Sequence, residues 1–241
     1  TIDMLFNNAS KVIGVSLKDR GAILPAGHMG DAAYWMNTNG EWISSSYYME
    51  SLPEWMLNYQ KTNTVSDYLK GKWEGENFSY DLDSLTTENG PNVIKSTPFG
   101  NTILKDLAHE IIVQEKLGQG TNTDFFSVSF SSSDYVGHQY GPHAEELIDT
   151  YIRLDNDISD FLKTLEKNIG VENVLLFLTS DHGVVSVPNE LKKYKIPAGY
   201  FDVSEALSGL KEHLTKQFGE GKWIHRYSNQ QFYLNNNLIQ Q

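Results

Sequence analysis

The sequence predicts an α/β fold, a mostly parallel sheet sandwiched by helices, and three observations carry that expectation. Two short apolar runs, residues 125–130 and 174–178, have the length and composition of buried strands. Between them Leu147, Ile148, Tyr151, Leu154, Ile158, Phe161, Leu162 and Leu165 recur at the three-or-four spacing of one helix face. Strand-like and helix-like stretches then alternate along the rest of the chain, with no repeat and no low-complexity linker. A strand, helix, strand crossover makes its two strands parallel. The segments that follow both strands therefore leave the sheet at the same edge.

Residues 1–9 read as a helix end, with Ile2, Leu5 and Phe6 on one side and Asn7-Asn8 as the stop. A strand over 11–17 follows and delivers Lys18-Asp19-Arg20-Gly21, a doubly basic loop. Two cations one residue apart after a buried strand suit an anion, Arg as a planar fork and Lys as a point charge; a plain solvated loop has the same composition. Residues 31–36 and 41–48 form a hairpin around Asn37-Thr38-Asn39-Gly40, because Asn-Gly accepts the backbone angles of a tight turn. Tyr34, Trp35, Trp42, Tyr47, Tyr48, Trp55, Tyr59, Tyr68 and Trp73 crowd this region. Residues 30–98 read as a lid-like, aromatic-rich insertion, its rings either a small core of its own or a stacking platform for a substrate. Residues 86–98, with Gly90-Pro91 and Pro98, read as loop.

Asn101 or Thr102 can cap a helix with Ile103, Leu104, Leu107, Ile111 and Ile112 on its apolar face, ended by Gly118-Gln119-Gly120. The central strand, helix, strand unit comes next, then a loop over 187–199. Ser204 caps a helix running to Phe218, and residues 223–227 and 230–234 make a terminal pair of strands.

The chain has 241 residues, 39% hydrophobic and 12% aromatic, which suits one sizeable core. Its 31 acidic and 19 basic residues give a formal charge of -12, which repels a phosphate backbone and excludes ordinary nucleic-acid binding. No apolar run approaches a membrane span. Cysteine is absent, so metal sites must use His, Asp or Glu. The chain opens at Thr1 without a leader-like stretch, so the start reads as internal.

Asp134 and His138 stand four apart in a Gly-containing loop after the first central strand, and Asp181 and His182 stand adjacent after the second. Carboxylate and imidazole are the ligands that suit zinc without cysteine, and active sites of open α/β sheets lie at the carboxyl ends of strands. Adjacent ligands need a sharp bend, which Gly183 permits. His143 is a weaker ligand candidate. A serine hydrolase built on Ser180-Asp181-His182 is ruled out, because three consecutive residues cannot hydrogen-bond in the chain that nucleophile, base and acid require.

With Ser133-Asp134-x-x-Gly137-His138-x-x-Gly141-Pro142 and Thr179-Ser180-Asp181-His182-Gly183 in view, the chain resembles the alkaline phosphatase superfamily, in its phosphodiesterase/nucleotide pyrophosphatase-like branch. Lys18-Asp19-Arg20 followed by Ile23-Leu24-Pro25-Ala26-Gly27-His28 is similar to the monoesterase-type bacterial phosphatases of that branch. The resemblance implies an alkaline phosphatase-like core, with Asp134 and His138 on one zinc, Asp181 and His182 on another, and Lys18 and Arg20 as catalytic cations on the phosphate oxygens. It also implies a small-molecule phosphate ester as substrate, a phosphoenzyme, and a periplasmic or extracellular location. Its upstream Asp ligand, its Thr or Ser nucleophile and its downstream His ligand have no counterpart here. The segment therefore reads as interior to a larger, partial catalytic domain. The parent is expected to be a zinc-dependent phosphate monoesterase, and the 241-residue chain alone to bind zinc weakly and turn over no ester. The alternatives are a phosphodiesterase or sulfatase-like hydrolase, and a non-catalytic module whose aromatic insertion holds a glycan or a protein.

Overall fold

The structure, a computed structural model, describes residues 9–240; the helix end expected ahead of Ala9 lies outside the described residues. The chain divides into two compact units, Thr1–Ser186 and Val187–Gln241.

The first unit is built on β1 (Val12–Ser16), which pairs in parallel with β2 (Ala32–Met36). The hairpin forms as expected, with β3 (Trp42–Ile43) antiparallel to β2 and Gly40 at φ 79° in the turn. Alternation along β1 sorts its side chains between two faces. Ile13, Val15 and Leu17 enter the main core, whereas Gly14 lies against α1 (Asp19–Ala26). That helix stands where a basic loop was expected. Lys18, extended at φ -110° and ψ 138°, takes the N-cap position, and Asp19 in the first turn matches the helix dipole. Pro25 falls in the last turn, before Gly27 at φ 72° ends the helix.

The region expected to form an insertion with its own core is divided. Its strands β2 and β3 belong to the central sheet, and Tyr34, Trp42 and Trp73 are fully buried in the main core. The remainder comprises α2 (Glu54–Thr62), α3 (Val65–Tyr68), the two-stranded sheet β4 (Lys72–Glu74) and β5 (Ser79–Asp81), and α4 (Leu82–Asn89). A 3₁₀ turn over Pro91–Ser96 follows, so 86–98 is not a loop. Gly90 at φ 72° and Pro91 punctuate two helices here, and buried Leu82 and Ile94 anchor them.

Helix α5 (Phe99–Gln114) starts ahead of the expected cap. Asn101 is buried inside it instead, its Oδ1 accepting from the Ser132 N–H at 3.2 Å. Strand β6 (Phe125–Ser129) then pairs in parallel with β1, giving the order β3-β2-β1-β6. This is the expected α/β sheet, three strands parallel and the edge strand β3 antiparallel, with α1 on one face and α5 on the other. Residues 132–140, expected as loop, form helix α6 (Ser132–Tyr140). Helix α7 (Glu145–Asn168) matches expectation closely. Leu147, Phe161 and Leu165 of its apolar stripe are buried, but Ile148, Tyr151 and Leu162 face outward.

Residues 174–178 form no strand, which corrects the expectation of a second central strand beside β6. Val174 is extended, but no described strand pairs with the run, and Leu175, Phe177 and Leu178 are 81%, 77% and 82% exposed. Apolar composition states a preference for burial and cannot supply the ladder that makes a strand.

The second unit contains α8 (Pro188–Lys193), again in place of a loop, and α9 (Val203–Phe218). Asp202, not Ser204, caps α9, accepting from Ser204 N at 2.8 Å and Glu205 N at 3.0 Å. The expected strand pair is β7 (Ile224–Ser228) with antiparallel β8 (Gln231–Leu234), followed by α10 (Asn236–Ile239). None of this unit's described residues is buried.

Candidate active site

Strands β1, β2 and β6 run parallel, so their carboxyl ends deliver Ser16, Met36 and Ser129 to one edge. Ser16 ties two of those ends together, its hydroxyl donating to the Ser129 carbonyl at 3.0 Å and accepting from Lys18 N–H at 3.1 Å. At this edge lies an open cleft of about 640 Å³, lined among others by Lys18, Arg20, Trp35, Asp134, Tyr135 and His138.

The helical course of α6 decides which candidate ligands meet. Asp134 and His138 stand one turn apart on the same face, with His138 Nε2 3.3 Å from Asp134 Oδ1. His182 joins them, its Nε2 3.6 Å from the same oxygen. The other carboxylate oxygen of Asp134 accepts from the Lys18 ammonium, which also lies 4.6 Å from the centre of the Tyr135 ring. Burial pushes the Asp134 carboxyl up, but the Lys18 bond and charge, with His138 and His182 nearby, outweigh it and hold the group below its usual range. His182 is raised, first by its bond to the Gly183 carbonyl and then by the Asp181 carboxylate.

Asp181 does not converge with the others. Its side chain is 86% exposed and, among the described residues, touches its own neighbour His182, 3.6 Å from Nε2. The bend at this point brings one of the two adjacent side chains inward, without a left-handed Gly183. Arg20 lines the cleft from the exposed first turn of α1, and His143 is exposed in the turn before α7.

The donor chemistry suits a zinc-type ion: one carboxylate and two imidazoles, with His182 Nδ1 donating to the Gly183 carbonyl at 2.8 Å, the arrangement that orients an imidazole ligand. The Lys18 ammonium stands on Asp134 where a cation is wanted. Among the described residues no group of three His, Asp or Glu side chains is set to hold an ion. Two cleft residues escaped the sequence reading. Tyr135 stood beside Asp134 inside the motif, and Lys95 carried only a faint signal as a lone charge in the Val93-Ile94-Lys95 run.

Residues 6–237 match the family described as type I phosphodiesterase / nucleotide pyrophosphatase. Alkaline phosphatase PhoV of Synechococcus elongatus is 42% identical over 81% of this chain and 40% of its own length. A protein named calcium-transporting ATPase from Myroides odoratus is 41% identical over 97% of this chain and 48% of its own. The crystal structure of wild-type alkaline phosphatase PafA superimposes with a TM-score of 0.86 at 32% identity, covering 99% of this chain and 51% of that one. The chain spans about half, or less, of the length of these relatives.

Proposed function

The chain belongs to the type I phosphodiesterase / nucleotide pyrophosphatase family, and from that premise we propose that the whole protein is a metal-dependent hydrolase of small phosphate monoesters. The observation that carries this reading is the meeting of Lys18 and Arg20 with Asp134 and His138 in one cleft at the carboxyl edge of a parallel sheet. As the resemblance implies, Asp134 with His138 and Asp181 with His182 would hold two zinc ions; here Asp134, His138 and His182 converge, and the exposed Asp181 would have to turn inward to complete the second site. Bound there, the ions supply Lewis-acid neutralisation of phosphoryl charge and a more acidic nucleophile.

The chain's own residues bind and orient the phosphate. Arg20 presents a planar fork to two oxygens, and Lys18 adds a point charge that the Tyr135 ring holds in place. Lys18 exchanges the Asp134 carboxylate for a phosphate oxygen, so its charge is never left unpaired. These cations suit the free oxygens of a monoester. A diester carries a substituent at one of them. The phosphoenzyme and the periplasmic or extracellular location implied by the resemblance belong to the same proposal.

The test compares kcat/KM of the whole protein for an aryl phosphate and the matching methyl aryl diester. Monoester preference is expected, and K18Q should reduce it by about tenfold to a hundredfold, the worth of one charge-assisted hydrogen bond. Preference for the diester would overturn the monoesterase reading in favour of the phosphodiesterase one. The 241-residue chain alone should bind zinc weakly, because among the described residues no group of three donors is set to hold an ion. Calorimetric titration showing two nanomolar sites would refute that.

A further inference from the structure

The cleft contains a third cation that the proposed reaction leaves unused. Lys95 lies in the 3₁₀ turn Pro91–Ser96 and is 7% exposed, yet it lines the same cleft as Lys18 and Arg20. Its ammonium donates to one acceptor, the Met36 carbonyl, at 2.9 Å. Among the described residues no carboxylate forms an ion pair with it. Asp19 acts on it only at longer range, and the Asp19 carboxylate already accepts from Arg20 N–H at 2.7 Å.

An ammonium has three protons to donate, so two remain for a partner. Burying a cation without a counter-ion is costly, and burial lowers the Lys95 pKa accordingly. A neutral donor such as Gln would tie the 3₁₀ turn to the end of β2 without that cost. The charge is therefore not explained by the bond to Met36. Lys95 sits on the end of β2 and Lys18 beyond the end of β1, and adjacent strands lie about 5 Å apart. An anionic group a few bonds from the scissile phosphate falls within reach of Lys95.

We propose that Lys95 is a specificity-determining residue that binds a second anionic group, a phosphate or carboxylate on the leaving portion of the ester. The proposal rests on the phosphate-ester reading above and names the substrate class within it. Such esters would bridge Lys18 and Arg20 at one end of the cleft and Lys95 at the other.

Calorimetric titration of the purified chain with inorganic phosphate and with pyrophosphate tests the idea without requiring turnover. The wild type should bind pyrophosphate about tenfold or more tighter than phosphate, since a charge-assisted hydrogen bond to a buried cation is worth at least that. K95Q keeps a donor for the Met36 carbonyl and should reduce the preference to about twofold while leaving phosphate affinity unchanged. K72Q, at an exposed position of β4, controls for overall charge and should retain the preference. A full preference surviving in K95Q, or an equal loss in K72Q, would overturn the proposal. K18Q should weaken both ligands alike; phosphate binding indifferent to K18Q sinks the phosphate-ester reading while leaving the Lys95 result to be read separately. Should K95Q fail to fold by circular dichroism, lysine-ε carbon NMR of the wild type decides. A Lys95 signal that moves with pyrophosphate and not with phosphate supports the proposal, and one that moves with neither refutes it.

Discussion

Lys18 and Arg20 reach the cleft because α1 lies flat against the sheet, and that contact depends on a missing atom at Gly14. A Cβ built there would lie 2.1 Å from the Ala22 carbonyl oxygen and 3.3 Å from the Ala26 methyl. The first of these is backbone, so no rotamer change relieves it; the helix itself must move. Gly14→Ala should therefore destabilise the chain by about 3 kcal/mol, the upper end for overpacking a well-filled interior. It should also weaken phosphate binding, because the displaced helix carries Arg20 and begins at Lys18. Urea unfolding and calorimetry on one preparation check the two effects. A variant within about 0.5 kcal/mol of the wild type would show that α1 is not packed as closely as these distances state.

Helices α5 and α7 meet across a charged seam in which a single lysine serves three carboxylates. Lys105, 11% exposed in its side chain, lies 2.9 Å from Asp106, 3.0 Å from Asp160 and 3.9 Å from Asp157, and Thr102 donates to Asp157 at 3.0 Å. Replacing it by Met keeps the stem but leaves buried Asp157 beside two uncompensated charges, so Lys105→Met should cost about 3 kcal/mol by urea unfolding. The same seam predicts a pH dependence of two signs. Burial lowers the Lys105 pKa, but bonds to Asp106 and Asp160 outweigh it and leave the group raised. Its contribution is thus complete below its ordinary 10.5 and lost only as pH rises through the higher folded value. The bond to Lys105 lowers Asp160, whose contribution is present above 3.8 and lost as pH falls through its folded value. Asp157 is opposite: burial raises it above 3.8, so its ionised form costs stability at neutral pH and the cost fades as pH falls through the raised value. Asp157→Asn keeps an acceptor for Thr102 and removes that cost. Relative to wild type it should be more favourable at pH 7 than at about pH 4, and a difference that does not change with pH would contradict the assignment.

At the scale of the whole molecule, what was legible in the sequence was what periodicity and motif encode locally. Strand β1, the Asn37–Gly40 hairpin, α5, α7 and α9 stand where alternation and three-or-four spacing put them, and Lys18, Asp134, His138 and His182 do meet. Short helices were misread as loops where Gly, Ser or Pro interrupts the run, as in α1, α6 and the 3₁₀ turn, because packing of Ala22 and Ala26, Val136, and Ile94 against the core overrides weak propensity. Lys95 was hidden because its burial comes from strands far away in sequence. The run 174–178 failed for a related reason: its hydrophobicity was read correctly, but a ladder requires a partner and no described strand provides one. That run has a measurable consequence in the chain as it stands. Val174-Leu175-Leu176-Phe177-Leu178 is uncharged and β-prone, and Leu175, Leu176, Phe177 and Leu178 are exposed, the combination that templates edge-to-edge association. Its amides should exchange with deuterium far faster than those of β1, which is paired on both sides. Phe177→Lys replaces an exposed ring that contributes little burial by a charge. It should change unfolding free energy by no more than about 0.5 kcal/mol while slowing aggregation, read by light scattering at several concentrations. Protected amides at 174–178, or a loss of stability in F177K comparable to a core substitution, would show that the run is packed in solution.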